Sequence, residues 1–344
     1  MKFEHPFLAT GIGSFPHKEV DPAFVLILND FQEIPFCPQF PRLSFLEGMA
    51  AQYSEGFPCL RWDVKNGKIW VDPVQGAEVE FEKFYESIEK GDVEAFRISA
   101  EFSRGVRLLD KLAHLAKKPT YIKGQVVGPV TFGLSVTDHD RKAIFYDPNW
   151  RDVVIKHLSM KARWMEKTFK EYLPGVPSIV FFDEPALSSF GSAFSGLHRD
   201  EVIHALNECF RAVNGWKGVH CCGNTDWSLL LETDLDILSF DAYGYLETLS
   251  LYPTALNAFL ERGGVLAWGI VPTSEDIGRE DARSLIRRLK AGTTELSRKG
   301  IDPQLLNRSI LTPSCGTASL SIPSAEQVCH LTADVSRRLR EELA

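Results

Sequence analysis

The sequence predicts an α/β fold, a single (β/α)8 TIM barrel with a β-hairpin excursion after the second strand. Three observations lead there. About eight short apolar runs, rich in β-branched and aromatic residues, recur between longer segments of helical periodicity, as buried parallel strands do. Each run gives way to a polar or Gly/Pro-containing loop and then a helix. The length, 344 residues at 44% hydrophobic and 24% charged, fits the roughly 200 to 400 residues of such a barrel. A doubly wound sheet accommodates the same alternation but does not call for eight strands.

In chain order the predicted strands are 7–12, a weaker run at 34–40, 120–126, 178–182, 218–222, 236–240, 265–270 and 309–312. Residues 150–173 carry the longest amphipathic helix, with Val153, Val154, Leu158, Ala162, Met165 and Phe169 at steps of three to four. Residues 199–213 and 280–296 follow the same period. The stretch RWDVKNGKIWVD places Asn66-Gly67 between two β-like runs, a strong hairpin signal, and a helix over 79–89 follows. With no linker, low-complexity stretch or repeat in view, residues 1–344 read as one domain.

Composition narrows the function. A net charge of −8, with basic residues clustered no further than Arg287-Arg288 and Arg337-Arg338, argues against nucleic acid. No apolar run approaches a membrane span, and Glu4 and His5 interrupt the opening where a signal peptide needs an apolar stretch. A cytoplasmic location is expected. Seven cysteines form neither the count nor the spacing of a disulfide scaffold. Cys37, Cys59, Cys209 and Cys329 read as ordinary thiols in core or surface.

Chemistry in a barrel gathers at the C-terminal ends of the strands. Here those ends read GSFPH, GQVVGPVT, FFDEPAL, HCCGN, SFDAYGY and TPSCGT. Successive strand residues face opposite ways, so His220 and Cys222 share one side and Cys221 takes the other. Cys315, at the end of the last strand, is placed to add a second thiolate from across the mouth. One nitrogen and two sulfurs suit zinc with a fourth position open, and Asp241 is a candidate oxygen ligand for that position. Buried cysteines acting as small hydrophobes are the plainer alternative. Two thiolate ligands leave an incoming substrate sulfur electron-rich, which favours alkyl transfer to sulfur over hydrolysis.

These motifs, from GIGSFPH through GPVT and DEPAL to HCC, LDILSFD and PSCG, span nearly the whole chain. They resemble the C-terminal catalytic barrel of cobalamin-independent methionine synthase, of the uroporphyrinogen decarboxylase and methionine synthase-like superfamily, in a short single-barrel form. The resemblance implies a zinc-dependent methyltransferase forming methionine from homocysteine, with one zinc held by His220, Cys222, Cys315 and a carboxylate that falls on Asp241. The family's carboxylate is usually Glu. The resemblance also implies substrate contacts at Ser14, Asp183 and Glu47, where carboxylates suit an ammonium group and Ser14 a carboxylate. It assigns no catalytic residue beyond the metal site. Locally, Asp183-Glu184 before Pro185 also reads as an acidic helix start, and Ser14 as a turn residue.

Two features of the family are missing. A Trp that stacks on folate after GPVT is replaced by Phe132-Gly133-Leu134-Ser135, and a His after the seventh strand by Gly269 to Thr273. There is also no room for the family's companion N-terminal barrel. Methylcobalamin or a corrinoid protein is therefore the expected methyl donor, rather than methylfolate. Two alternatives stand beside this reading. One is a decarboxylase or methylcobamide methyltransferase of the superfamily, for which Arg42 and Arg61 are the early arginines available to recognise carboxylates. The other is a non-enzymatic zinc-binding subunit that docks a corrinoid protein.

Overall fold

The structure, a computed structural model, describes residues 3–74, 76–192 and 195–343. Its strands are β1 (Leu8–Ala9), β2 (Leu60–Asp63), β3 (Lys68–Val71), β4 (Ile122–Val127), β5 (Ser178–Asp183), β6 (Trp216–Cys221), β7 (Ile237–Phe240), β8 (Val265–Val271) and β9 (Ser309–Pro313). The helices are α1 (Val20–Asp30), α2 (Ala77–Glu89), α3 (Leu108–Ala113), α4 (Pro129–Ser135), α5 (Pro148–Tyr172) and α6 (Arg199–Arg211). They continue with α7 (Trp227–Leu231), α8 (Ala242–Leu249), α9 (Pro253–Glu261), α10 (Ala282–Arg298), α11 (Pro303–Leu306) and α12 (Ile322–Leu343). No described helix is long and apolar enough to cross a membrane.

Seven strands form one parallel sheet in the order β1-β9-β8-β7-β6-β5-β4, curled in the manner of a TIM-like fold. The segment expected as the second strand, 34–40, is not a strand of this sheet. Pro35 and Pro38 have no N–H to donate, so a continuous ladder cannot form there. What remains is a set of isolated bonds to both sheet edges. Cys37 N donates to Lys123 O (3.0 Å) and Lys123 N to Pro35 O (2.9 Å) on the β4 side, while Gln39 N reaches Gly13 O (3.0 Å) beyond β1. β2 and β3 make a separate antiparallel pair.

The first strand is shorter than the apolar run 7–12 that signals it, and a positive φ of 51° at Phe7 marks its start. The long amphipathic helix runs as α5, entered through Asp147, whose carboxylate accepts from the Asn149 and Trp150 backbone N–H groups.

Alternation along the strands sorts the core into two parts. The larger one fills the space between sheet and helices and includes Val180, Phe182, Cys221, Phe240 and Trp268. The smaller lies inside the curl, among Leu8, Tyr121, Ile179, Phe181, Trp216, Ile237 and Ile310. Continuing each inward series toward the C-terminal end changes its chemistry. Tyr121 leads to Lys123 and Gln125, Phe181 to Asp183, Trp216 and Gly218 to His220, Ile237 to Ser239, and Ile310 to Thr312. An apolar floor thus carries a polar layer at the strand ends. Gly218 is required there, since a Cβ would stand 2.6 Å from the Phe181 ring.

Candidate metal centre

At the top of that layer β6 brings His220 to the inside, and Cys222 follows two residues later on the same side. Cys315 arrives from the loop after β9. One ligand atom from each of the three lies within 4.8 Å of the other two. Cys221 points the other way into the larger core, its Sγ 3.6 Å from Gly223 O. Of the seven free thiols, Cys222 and Cys315 alone are partly exposed, while Cys37, Cys59, Cys209, Cys221 and Cys329 are buried.

The imidazole is held in one orientation. Nδ1 lies 3.0 Å from Ser239 Oγ, and Nε2, buried, has no hydrogen-bond partner. A buried ring nitrogen without a partner costs about 1–3 kcal/mol, and its companions here are two sulfurs. This donor set fits a zinc-like ion, with Ser239 as the outer partner that fixes the ring. The Cys315 thiol donates to Cys222 and, with His220, holds the Cys222 thiol well below its ordinary range; the same contact pushes Cys315 up.

The other expected site residues divide. Asp183 ends β5 beside His220 and is buried, and its Oδ1 has no partner. Burial pushes its carboxyl up to about 6, against the pull of His220 and Lys123. Ser14 stands against the Cys315 loop. Its carbonyl accepts from Thr317 N (2.8 Å) and Thr317 Oγ1 (2.9 Å), and a Cβ on Gly316 would lie 2.0 Å from its Oγ.

Glu47 is buried but engaged. Oε2 accepts from Phe40 N (3.1 Å), Oε1 from Arg104 N (3.3 Å), and the Arg104 guanidinium is 4.0 Å away. Those partners tie two loops together through one bond to each carboxylate oxygen. Asp241 lies outside the three-residue cluster; its Oδ1 accepts from Gly244 N (2.7 Å) at the start of α8. Helix capping answers for an Asp at that position, and burial raises its carboxyl.

Sequence reasoning did not find four residues of the layer: Lys123, Gln125, Ser239 and Thr312. Lys123 is fully buried, its Nζ donating to Ile12 O (2.8 Å) and Gln125 Oε1 (3.2 Å) and standing 4.6 Å from the Phe181 ring centroid. Burial lowers it to about 8. The period-two reading of IKGQVV, ILSF and SILTP is the signal that could have placed these residues. Glu184 has a different role from starting its own helix. Its carboxylate caps α4, accepting from Val130 N (2.9 Å), Thr131 N (2.8 Å) and Thr131 Oγ1 (2.6 Å).

No family model matches the sequence. No curated protein matches it either. Solved structures do. A putative vitamin-B12-independent methionine synthase from Listeria monocytogenes overlaps 97% of this chain and 98% of its own, at 12% identity and a TM-score of 0.60. A methyltransferase from Methanosarcina mazei overlaps 98% of this chain and 95% of its own, at 14% identity and a TM-score of 0.54. A B12-independent methionine synthase from Shewanella sp. W3-18-1, solved with selenomethionine, overlaps 70% of this chain and 67% of its own, at 19% identity and a TM-score of 0.47. The chain has the fold of methionine synthase-like and methyltransferase proteins.

Proposed function

We propose that the protein is a zinc-dependent methyltransferase that moves a methyl group to the thiol of homocysteine, forming methionine, in one barrel domain spanning residues 1–344. The observation that carries this reading is the cluster of His220, Cys222 and Cys315 with an unpartnered Nε2. Zinc bound there would supply the Lewis acidity that keeps a thiol deprotonated at neutral pH. His220, Cys222 and Cys315 hold the metal, with Asp241 a fourth ligand only if its carboxylate leaves the α8 cap. Asp183 Oδ1 accepts from the substrate ammonium, and Ser14 Oγ, beside the Cys315 loop, donates to the substrate carboxylate. In the transfer a C–S bond forms as the bond from the methyl carbon to the donor breaks. The donor keeps that electron pair, and the thiol proton leaves to solvent.

Methylcobalamin or a corrinoid protein is the proposed donor. Where the folate-using family presents a Trp, Phe132 is fully buried and Gly133 backs onto Phe145, so neither offers a flat surface to a pterin ring. Ile270 and Val271 are likewise buried where the family has a protonating His.

Metal analysis of the purified protein is the first test. About one zinc per chain is expected, lost in C222S and in C315S; less than about half an equivalent, unchanged by either substitution, sinks the reading. Incubating the zinc-loaded protein with homocysteine and either methylcobalamin or methylfolate separates the donors. Methionine formed from methylfolate alone overturns the corrinoid assignment.

A further inference from the structure

The polar layer inside the curled sheet is satisfied on one wall and unsatisfied on the other. Along β1, the 34–40 segment and β4, every buried polar side chain among the described residues has a partner. Thr10 Oγ1 donates to Ile34 O (2.9 Å), Gln39 Nε2 to Gln52 Oε1 (2.6 Å), Tyr53 Oη to Gln125 O (2.5 Å), and Gln125 Nε2 to Cys37 O (2.8 Å). From β5 to β9 three buried atoms have none: Asp183 Oδ1, His220 Nε2 and Thr312 Oγ1. The remaining unpartnered atoms lie elsewhere, on Asp30, His157 and Arg340 of outer helices and on His17 against Glu326 of α12.

Native proteins leave few buried polar groups unpaired, and those that occur call for an explanation. Three at the strand ends of one continuous arc, beside a thiol pair, share a single explanation in a ligand. His220 Nε2 belongs with the two sulfurs. Asp183 Oδ1 and Thr312 Oγ1 are left, and they rise from β5 and β9 on opposite sides of the mouth. His220, the register partner of Asp183, presents a ligand atom within 4.8 Å of one on Cys315, three residues beyond Thr312, so the end of β9 comes close to the carboxylate.

We propose that Thr312 is a substrate-contacting specificity residue, its hydroxyl accepting a hydrogen from the same ammonium group that Asp183 binds. This rests on the thiol-methyltransferase reading above and adds to it. An ammonium has three hydrogens to place, and one carboxylate oxygen takes one. Glu47 already accepts from the Phe40 and Arg104 backbone N–H groups. Thr312 Oγ1 is the other unpartnered acceptor at these strand ends. The thiol is thus selected as an amino thiol, and one lacking nitrogen leaves both atoms unpaired, which is how a buried polar site rejects an analogue.

The test is calorimetric titration of zinc-loaded wild type, T312V and T312S with L-homocysteine and with 4-mercaptobutanoate, which has the same thiol and carboxylate but no amine. T312V keeps the shape and removes the hydroxyl. It is expected to weaken homocysteine about tenfold and 4-mercaptobutanoate less than about twofold, with T312S restoring homocysteine to within about twofold of wild type. Zinc content should stay at the wild-type level throughout. Without ligand, T312V should melt no lower than wild type, because an unpaired hydroxyl contributes no bond to lose; T312A serves the same comparison if valine disturbs the strand. Equal binding of homocysteine by T312V and wild type, or equal loss of both thiols, overturns the assignment. A wild type that holds zinc yet binds neither thiol overturns the thiol reading itself.

Discussion

Ser239 Oγ stands 3.0 Å from His220 Nδ1, and this contact decides which nitrogen of the ring is left to act. The two residues are register partners on adjacent strands, so the sheet itself sets the pairing. A ring fixed through one nitrogen presents the other without a rotamer search. Outer partners of this kind typically contribute about 10- to 100-fold to metal affinity. S239A should lose zinc to a chelator at correspondingly lower chelator concentration, while Cys222 and Cys315 remain in place. Retention equal to wild type would show that the serine does not orient the ring.

Thiol labelling checks the division of the cysteines. Titrating native, metal-free protein with an aromatic disulfide reagent should modify two of the seven thiols, Cys222 and Cys315, and zinc should protect both. The other five are buried, and Cys37, Cys209 and Cys221 are pushed up to about 12 by burial. Rapid reaction of a third thiol in the folded protein would contradict this.

Gly316 lies against Ser14, and a Cβ there would sit 2.0 Å from the serine Oγ. G316A must push Ser14 or the Cys315 loop aside, at a cost of about 1–3 kcal/mol. Urea unfolding reads the stability, and chelator competition reads whether the sulfur moves with the loop. Unchanged values in both would mean that Ser14 swings away freely.

Glu184 joins the DEPAL loop to α4 through two backbone N–H groups and the Thr131 hydroxyl. E184A leaves those donors buried and unpaired, and a loss of about 2–4 kcal/mol is expected in urea unfolding. G128A should act in the same direction, because its Cβ would stand 2.2 Å from the Glu184 carboxylate.

Lys161 supplies a pH test away from the metal. It is buried on α5 with Nζ 3.0 Å from Arg97 O, and burial lowers it from 10.5 to about 7. Between those values the unfolded chain holds a proton that the folded chain does not, so stability rises as pH increases from about 7 toward 10.5. Subtracting the unfolding free energies of K161M from those of wild type isolates this slope. A difference that is flat across that window would show that the ammonium stays charged when buried.

Much of this architecture is legible in the sequence, for identifiable reasons. The parallel strands announce themselves because strands covered on both faces are largely apolar, as in Ile179 to Phe182 and Val265 to Val271. His220 and Cys222 follow from the period of two. That Cys315 stands beside them does not follow from local pattern, since 93 residues (315 − 222) separate it from Cys222 and the curl of the sheet alone brings the two together. The expected second strand, 34–40, misleads because its aromatic residues report burial, whereas pairing depends on the N–H groups that Pro35 and Pro38 lack. Glu47 shows the limit from the other side. A carboxylate at the expected place is visible in sequence, but its engagement with the Phe40 and Arg104 backbones is not.

The broken ladder at 34–40 has a mechanical consequence. A ring with one poorly stitched seam behaves like a spring clip, stiff along most of its circumference and compliant at the join. That join flanks Ser14 and Gln39, whereas His220, Asp183 and Thr312 sit on the continuously paired arc. Breathing at the seam can widen the mouth without changing the spacing of the side chains on that arc. In hydrogen exchange, the amides of Cys37 and Gln39 should therefore open earlier than those of β5 to β9.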